Sequence, residues 1–219
     1  MDLKSSKGPV TIAMLGVDGA GKGTLIKMLS CHLKEKRGLN SLYRHLQPAV
    51  FPPFGKIVSW IRRERTNSDF RAPGTATPHG LFTATVKLCW LMLDYTAGLA
   101  ILKQRCLRQG DSVIIFDRYF FDLMVDPKRF RVQRLGFFFN WLLKKLPRPD
   151  LVFVLHGDPK IVHARKRELR LETLLLTSNE LLKIPNIHII NVDVDAETSL
   201  AEICSVIDAY KDFGFSSED

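Results

Sequence analysis

The sequence predicts an α/β fold, a doubly wound five-stranded parallel sheet with helices on both faces. Three observations carry that prediction. Five short runs rich in Val, Ile, Leu and Phe recur along the chain, each too short for a good helix. Stretches with apolar residues at helical spacing separate them, which calls for right-handed crossovers between parallel strands. A glycine-rich stretch, GVDGAGKGT, joins the first run to the first helical pattern.

Taken in order, Val10–Leu15 is the first predicted strand. Leu25, Met28, Leu29 and Leu33 recur at helical spacing after the glycines, and Gly38 supplies the stop. Ser41–Leu46 is the second strand. Thr66–Gly80, TNSDFRAPGTATPHG, is irregular and reads either as a plain surface connection or as a mobile substrate loop. One long helix, or two in series, fills Leu81–Arg108 and ends at Gly110. Ser112–Phe116, Leu151–Leu155 and His188–Val192 are strands three to five, with helices expected over Leu135–Leu146 and Thr198–Tyr210.

The 219 residues contain no internal repeat, low-complexity tract or linker, so residues 1–219 read as a single domain. A composition of 46% hydrophobic and 25% charged residues is that of a soluble globular chain. The net charge of +9 favours polyanionic partners, from nucleotides and polyphosphate to nucleic acid or anionic lipid, without choosing among them. Cys31, Cys89, Cys106 and Cys204 are scattered, which argues against a zinc site or a disulfide framework. The start MDLKSSKGP has no apolar signal core, and Lys87 and Asp94 break the most apolar region, so a buried helix is expected there and no membrane span. A cytoplasmic location follows as the expectation. No nucleic-acid-binding motif organises the basic residues, so no nucleic-acid partner is expected.

The pattern Gly16-x-x-x-x-Gly21-Lys22, set between a strand and a helix, is that of a phosphate-binding loop (P-loop). Glycines let successive N–H groups turn inward as an anion nest, and the helix aims its positive end at the same place. Gly16, Asp18, Gly19, Ala20, Gly21, Lys22, Gly23 and Thr24 are therefore the predicted ATP-binding residues. Gly23 stands where many such loops place a Mg²⁺-binding hydroxyl. Thr24 follows, one residue further round the helix, and is a candidate for the metal or the α-phosphate. The ion would then rest on phosphates, waters and a carboxylate elsewhere.

The third strand delivers Asp117-Arg118-Tyr119 at its carboxyl end, the edge where open α/β sheets bind ligands. Asp117 can orient hydrated Mg²⁺, and Arg118 offers a forked donor to phosphoryl oxygens. Gly16–Thr24, Asp117–Tyr119, the Pro149-Asp150-Leu-Val-Phe-Val-Leu strand and the arginine-rich segment after it resemble, in this order, the thymidylate kinase-like proteins. The resemblance spans most of the chain. It implies a P-loop NTPase-type sheet, ATP with Mg²⁺, and transfer of the γ-phosphoryl group to a nucleoside monophosphate, by default dTMP. It also implies that Asp18 approaches the acceptor's sugar, Lys22 the ATP phosphates, and Asp117 with Arg118 the moving phosphoryl group. A short lid over about 163–180 would bring Arg165, Arg167 and Arg170 to the reaction as further catalytic residues; on a helix Arg167 and Arg170 share a face and Arg165 points elsewhere.

The acceptor side departs from that pattern. Leu46-Gln47-Pro48 replaces the family's Arg-Glu-Pro, and Asp94-Tyr95 replaces an Asp-Arg pair. Gln47, Arg71, Asp94, Tyr95 and Tyr119, with Asp18, are the acceptor-side candidates. Arg44, Arg62, Arg63 and Arg65 are further cations that could substitute. Asp94 reads as pocket-lining or as a capped carboxylate, and Phe120 or Phe121 as a base-stacking ring or as core. His156 ends strand four where an aspartate is usual, and reads as a titrating group or a hydrogen-bonded one. The basic and apolar stretch 128–145 reads as a packing or homodimer helix, or as a contact with a membrane surface. The loop string also resembles polyphosphate-dependent kinases. A non-nucleotide acceptor and a silent nucleotide binder are the remaining alternatives, and the absence of N-K-x-D argues against a GTPase.

Overall fold

The computed structural model describes residues 8–52, 81–125, 141, 144–165 and 171–210. Five strands form one parallel sheet: β1 (Val10–Leu15), β2 (Asn40–His45), β3 (Asp111–Asp117), β4 (Leu151–His156) and β5 (His188–Asn191), in the spatial order β2-β3-β1-β4-β5. β1 is central and buried at every position, as its largely apolar character requires. Its one polar residue is fastened. The Thr11 hydroxyl donates to Asp150 Oδ2 at 2.6 Å and accepts from the Asp150 N–H at 3.1 Å, tying β1 to the start of β4.

The helices are α1 (Lys22–Arg37), α2 (Leu81–Leu93), a π-helical turn (Asp94–Gly98) running on into α3 (Leu99–Gln109), α4 (Phe121–Val125), α5 (Pro159–Arg165), α6 (Leu171–Leu182) and α7 (Ala196–Ala209). α1 and α7 pack Leu25, Leu29, Leu33, Ile203 and Ile207 on the sheet face bearing Ile12, Met14, Val113 and Phe153. Leu88, Leu99, Leu102 and Cys106 of the long helix cover the opposite face, on Ala13, Leu15, Ile114 and Phe116. Both faces of the sheet are thus clad. The stretch Ala84–Gln109 is long and apolar enough by composition to cross a bilayer. Its inner face is nevertheless the second core of the sheet.

Several boundaries move. β2 starts one residue early, where Asn40 pairs with Asp111, and ends one early because Leu46 turns to φ 64 and leaves the strand, its N–H donating to the Asp117 carbonyl at 2.9 Å. The last helix begins at Ala196 because Asp195 caps it, accepting from the Thr198 N–H at 2.8 Å. Of the helix expected over Leu135–Leu146, Lys144, Lys145 and Leu146 lie in turns and bends and Trp141 is helical; the rest lies outside the described residues. So does all of Thr66–Gly80.

Candidate active site

β1 and β3 lie side by side with Met14 opposite Asp117, so the loop after one strand meets the Asp-Arg pair after the other. Gly16 leaves β1 at φ 152, where a Cβ would sit 3.2 Å from the Leu155 carbonyl oxygen. Glycine lets the loop pass β4 this closely at a φ that other residues rarely adopt. Gly21 takes a left-handed φ of 85 and opens α1, whose first turn holds no acidic side chain to compete with an anion.

Lys22 is 7% exposed and folds back over this loop. Its Nζ donates to the carbonyls of Gly16 at 2.8 Å and Val17 at 2.9 Å, and stands 3.9 Å from Asp18 Oδ1. Burial, reinforced by the Arg118 charge, pulls its pKa down to about 8 against the opposing pull of Asp18, Asp117 and Asp122. Gly23 and Thr24 are exposed in the first turn of α1. A Cβ on Gly23 would meet nothing within 4 Å, so packing does not demand that glycine.

Arg118 has a left-handed φ of 72, unusual for a side chain of its size, and its N–H donates to the Met14 carbonyl at 2.9 Å. The turn carries its guanidinium back toward the loop. Nη1 donates to Asp122 Oδ2 at 2.7 Å and Nη2 to Asp18 Oδ1. Burial alone would lower its pKa, but Asp122 and then Asp18 outweigh that and hold it raised.

Asp117 completes the group. Its Oδ2 accepts from the Tyr43 hydroxyl at 3.1 Å and lies 3.4 Å from His45 Nδ1, while its Oδ1 is buried with no hydrogen-bond partner. An orphaned carboxylate oxygen calls for a donor such as a water on a cation. The charge balance agrees, since Asp18, Asp117 and Asp122 outnumber Lys22 and Arg118. Among the described residues no three His, Cys, Asp or Glu side chains form a metal cluster, so Mg²⁺ fits here only as an ion held largely by phosphates and waters.

Asp94, Tyr95 and Tyr119, expected on the acceptor side, are buried and hydrogen-bonded within the fold. Asp94 is 2% exposed and accepts from the N–H groups of Ala49, Val50 and Phe51 at 2.9, 3.1 and 3.3 Å. It clamps the loop after β2, and is a capped carboxylate rather than a pocket wall. Tyr95 and Tyr119 are fully buried, their hydroxyls donating to the carbonyls of Leu46 at 2.6 Å and Pro147 at 3.2 Å. Phe120 and Phe121 are core. Gln47 is half-buried in the turn beside Asp117, its N–H on the His45 carbonyl at 2.8 Å. Arg44 donates from Nη1 to the Tyr43 carbonyl at 3.1 Å.

Both Nη atoms of Arg165, expected on a lid, donate at 3.3 Å to the carbonyl of Val192, just after β5. His156 Nδ1 lies 3.1 Å from the Ser178 hydroxyl and joins β4 to α6, the hydrogen-bonded alternative. Arg167, Arg170 and Arg71 lie outside the described residues, as do Arg62, Arg63 and Arg65. Tyr43, His45 and Asp122 escaped the sequence reading. Period-two alternation at the end of β2 would have flagged the first two, and spacing i, i+4 from Arg118 the third.

No family model matches the chain, and no curated protein does. Solved structures do. A thymidylate kinase from Ehrlichia chaffeensis superposes with a TM-score of 0.53 at 18% identity, covering 91% of this chain and 99% of its own. A thymidylate kinase from Candida albicans reaches 0.58 at 19% identity, covering 97% and 96%. An all-parallel sheet clad on both faces, with the glycine loop and Asp117-Arg118 at its carboxyl edge, therefore has the fold of the thymidylate kinases.

Proposed function

We propose that the chain is an ATP-dependent phosphotransferase of the thymidylate kinase type, active on a nucleoside monophosphate. One observation carries this reading: Lys22 and Arg118, two buried cations, share the Asp18 carboxylate at the mouth of a glycine nest that opens a helix. Structural and charge logic supports ATP as donor. The loop amides from Gly16 to Thr24 would hold the phosphate chain, and Lys22 would leave the Gly16 and Val17 carbonyls for phosphate oxygens. Bound Mg²⁺ would neutralise charge on the β- and γ-phosphates, with Asp117 Oδ1 accepting from its water shell. An acceptor oxygen then attacks the γ-phosphorus in line, the bond to the bridging oxygen breaks, and ADP leaves. Arg118 Nη2 stabilises the equatorial oxygens, with lid arginines over about 163–180 as further donors.

A single domain in a reducing, cytoplasmic setting suits this reading, as do the free thiols of Cys31, Cys89, Cys106 and Cys204. A second acceptor class is favoured by a specific observation. Asp94 is committed to the β2 loop, the Tyr95 and Tyr119 hydroxyls to backbone carbonyls, and Gln47 carries no charge, so these described acceptor-side candidates offer no cation to a dianion. A non-nucleotide acceptor is the second reading. Steady-state assays with ATP-Mg²⁺, or polyphosphate, against a panel of nucleoside monophosphates and uncharged hydroxyl compounds test both. Turnover of a monophosphate, abolished by Lys22→Ala, is expected; ATP binding with no turnover across the panel refutes the phosphotransferase reading.

A further inference from the structure

Asp122 has no part in the reaction just outlined, yet it is 7% exposed and bonded to the arginine that does. It lies on α4, where its own N–H donates to the Tyr119 carbonyl at 3.1 Å and its chain neighbours Phe121 and Leu123 are likewise buried. The two ends of the Arg118 fork thus meet unequal partners. The Asp122 side chain is 9% exposed and the Asp18 side chain 23%.

We infer that Asp122 is a positioning residue, the permanent anchor of Arg118, and that Asp18 is a releasable partner whose place a phosphoryl oxygen takes. The inference rests on the phosphotransferase reading. Its physical basis is the rigid, planar guanidinium: fixing Nη1 on a buried carboxylate also fixes the direction of Nη2. The backbone root of the side chain is already held at φ 72 by the Met14 carbonyl. With root and Nη1 both fixed, Nη2 is aimed at the loop before any ligand arrives. Leaving Asp122 would strand a buried charge, whereas the more exposed Asp18 can turn to water, so exchange occurs at Nη2.

The full chain, with Mg²⁺ present, is titrated calorimetrically with ADP and with the non-hydrolysable AMP-PNP, and thermal unfolding is followed in parallel. The ratio of the two affinities reads the contribution of the γ-phosphoryl group. Charge counting predicts a larger ratio for Asp18→Asn and Asp122→Asn alike, since each removes a carboxylate near the phosphates. Anchoring predicts opposite signs: Asp122→Asn lowers the ratio about tenfold while ADP affinity changes by less than about twofold, and Asp18→Asn holds or raises it. Asp122→Ser follows the same expectation should the Asn variant not fold. An unchanged or raised ratio in Asp122→Asn, or a ratio lowered equally in both variants, overturns the anchor assignment alone. Unfolding of both Asp122 variants beside a folded Asp18→Asn overturns it in favour of a structural role. Failure of the unaltered chain to bind either nucleotide overturns both this inference and the phosphotransferase reading.

Discussion

In the proposed function, Lys22 is held by the Gly16 and Val17 carbonyls in a state that it has to leave. Its pKa of about 8, below the ordinary 10.5, means that the free protein loses this proton as the pH rises through 8. Phosphate oxygens favour the ammonium, so a triphosphate complex keeps the proton that the free site gives up. Triphosphate affinity should therefore be flat below about pH 7 and fall from about pH 8 upward, with proton uptake on binding. Calorimetry in buffers of different ionisation enthalpy reads that uptake, and Lys22→Met should abolish it. Gly98 carries a second prediction. A Cβ there would lie 2.5 Å from Asp94 Oδ1, and that carboxylate cannot retreat without releasing the N–H groups of residues 49 to 51. Gly98→Ala should cost about 1–3 kcal/mol in urea denaturation.

At the scale of elements, one substitution should act with opposite signs in two helices. Gly23 is helical, exposed and uncrowded in α1, so Gly23→Ala should stabilise the fold by about 0.5–1 kcal/mol. Gly110 ends α3 in a left-handed turn at φ 79, and Gly110→Ala should destabilise by about 1 kcal/mol. Paired chemical denaturation curves check both. The first variant also separates folding from function: stability gained with weaker ATP binding would locate the need for Gly23 in the bound ligand, since packing in α1 makes no such demand. The π-helical turn Asp94–Gly98 is a further element with a local task, presenting Asp94 to the loop after β2.

For the whole molecule, the two cores meet across one sheet, and the site depends on its register. Phe153 sits in the middle of β4, fully buried among the α1 and α7 contacts. Phe153→Ala should cost about 3–5 kcal/mol in the same denaturation assay, because the surrounding sheet cannot close on the cavity. The site itself lies at the carboxyl edge, so a folded but weakened variant should keep its nucleotide affinity at low temperature. Fluorescence titration with ATP below the unfolding transition checks that separation.

The sequence alone determined the strands, the glycine loop between β1 and α1, and the place of Asp117-Arg118 at the end of β3, because each depends on local periodicity or on glycines a few residues apart. Val10–Leu15 is read correctly from six consecutive residues. Tertiary structure decided what Asp94 bonds to. Whether Asp94 lines a pocket or clamps a loop depends on where residues 49 to 51 return after β2, some forty positions away in the chain. Tyr43, His45 and Asp122 join the site for the same reason: strand register and a helical turn set them beside Asp117 and Arg118, and a hydrogen bond is decided by distance in space.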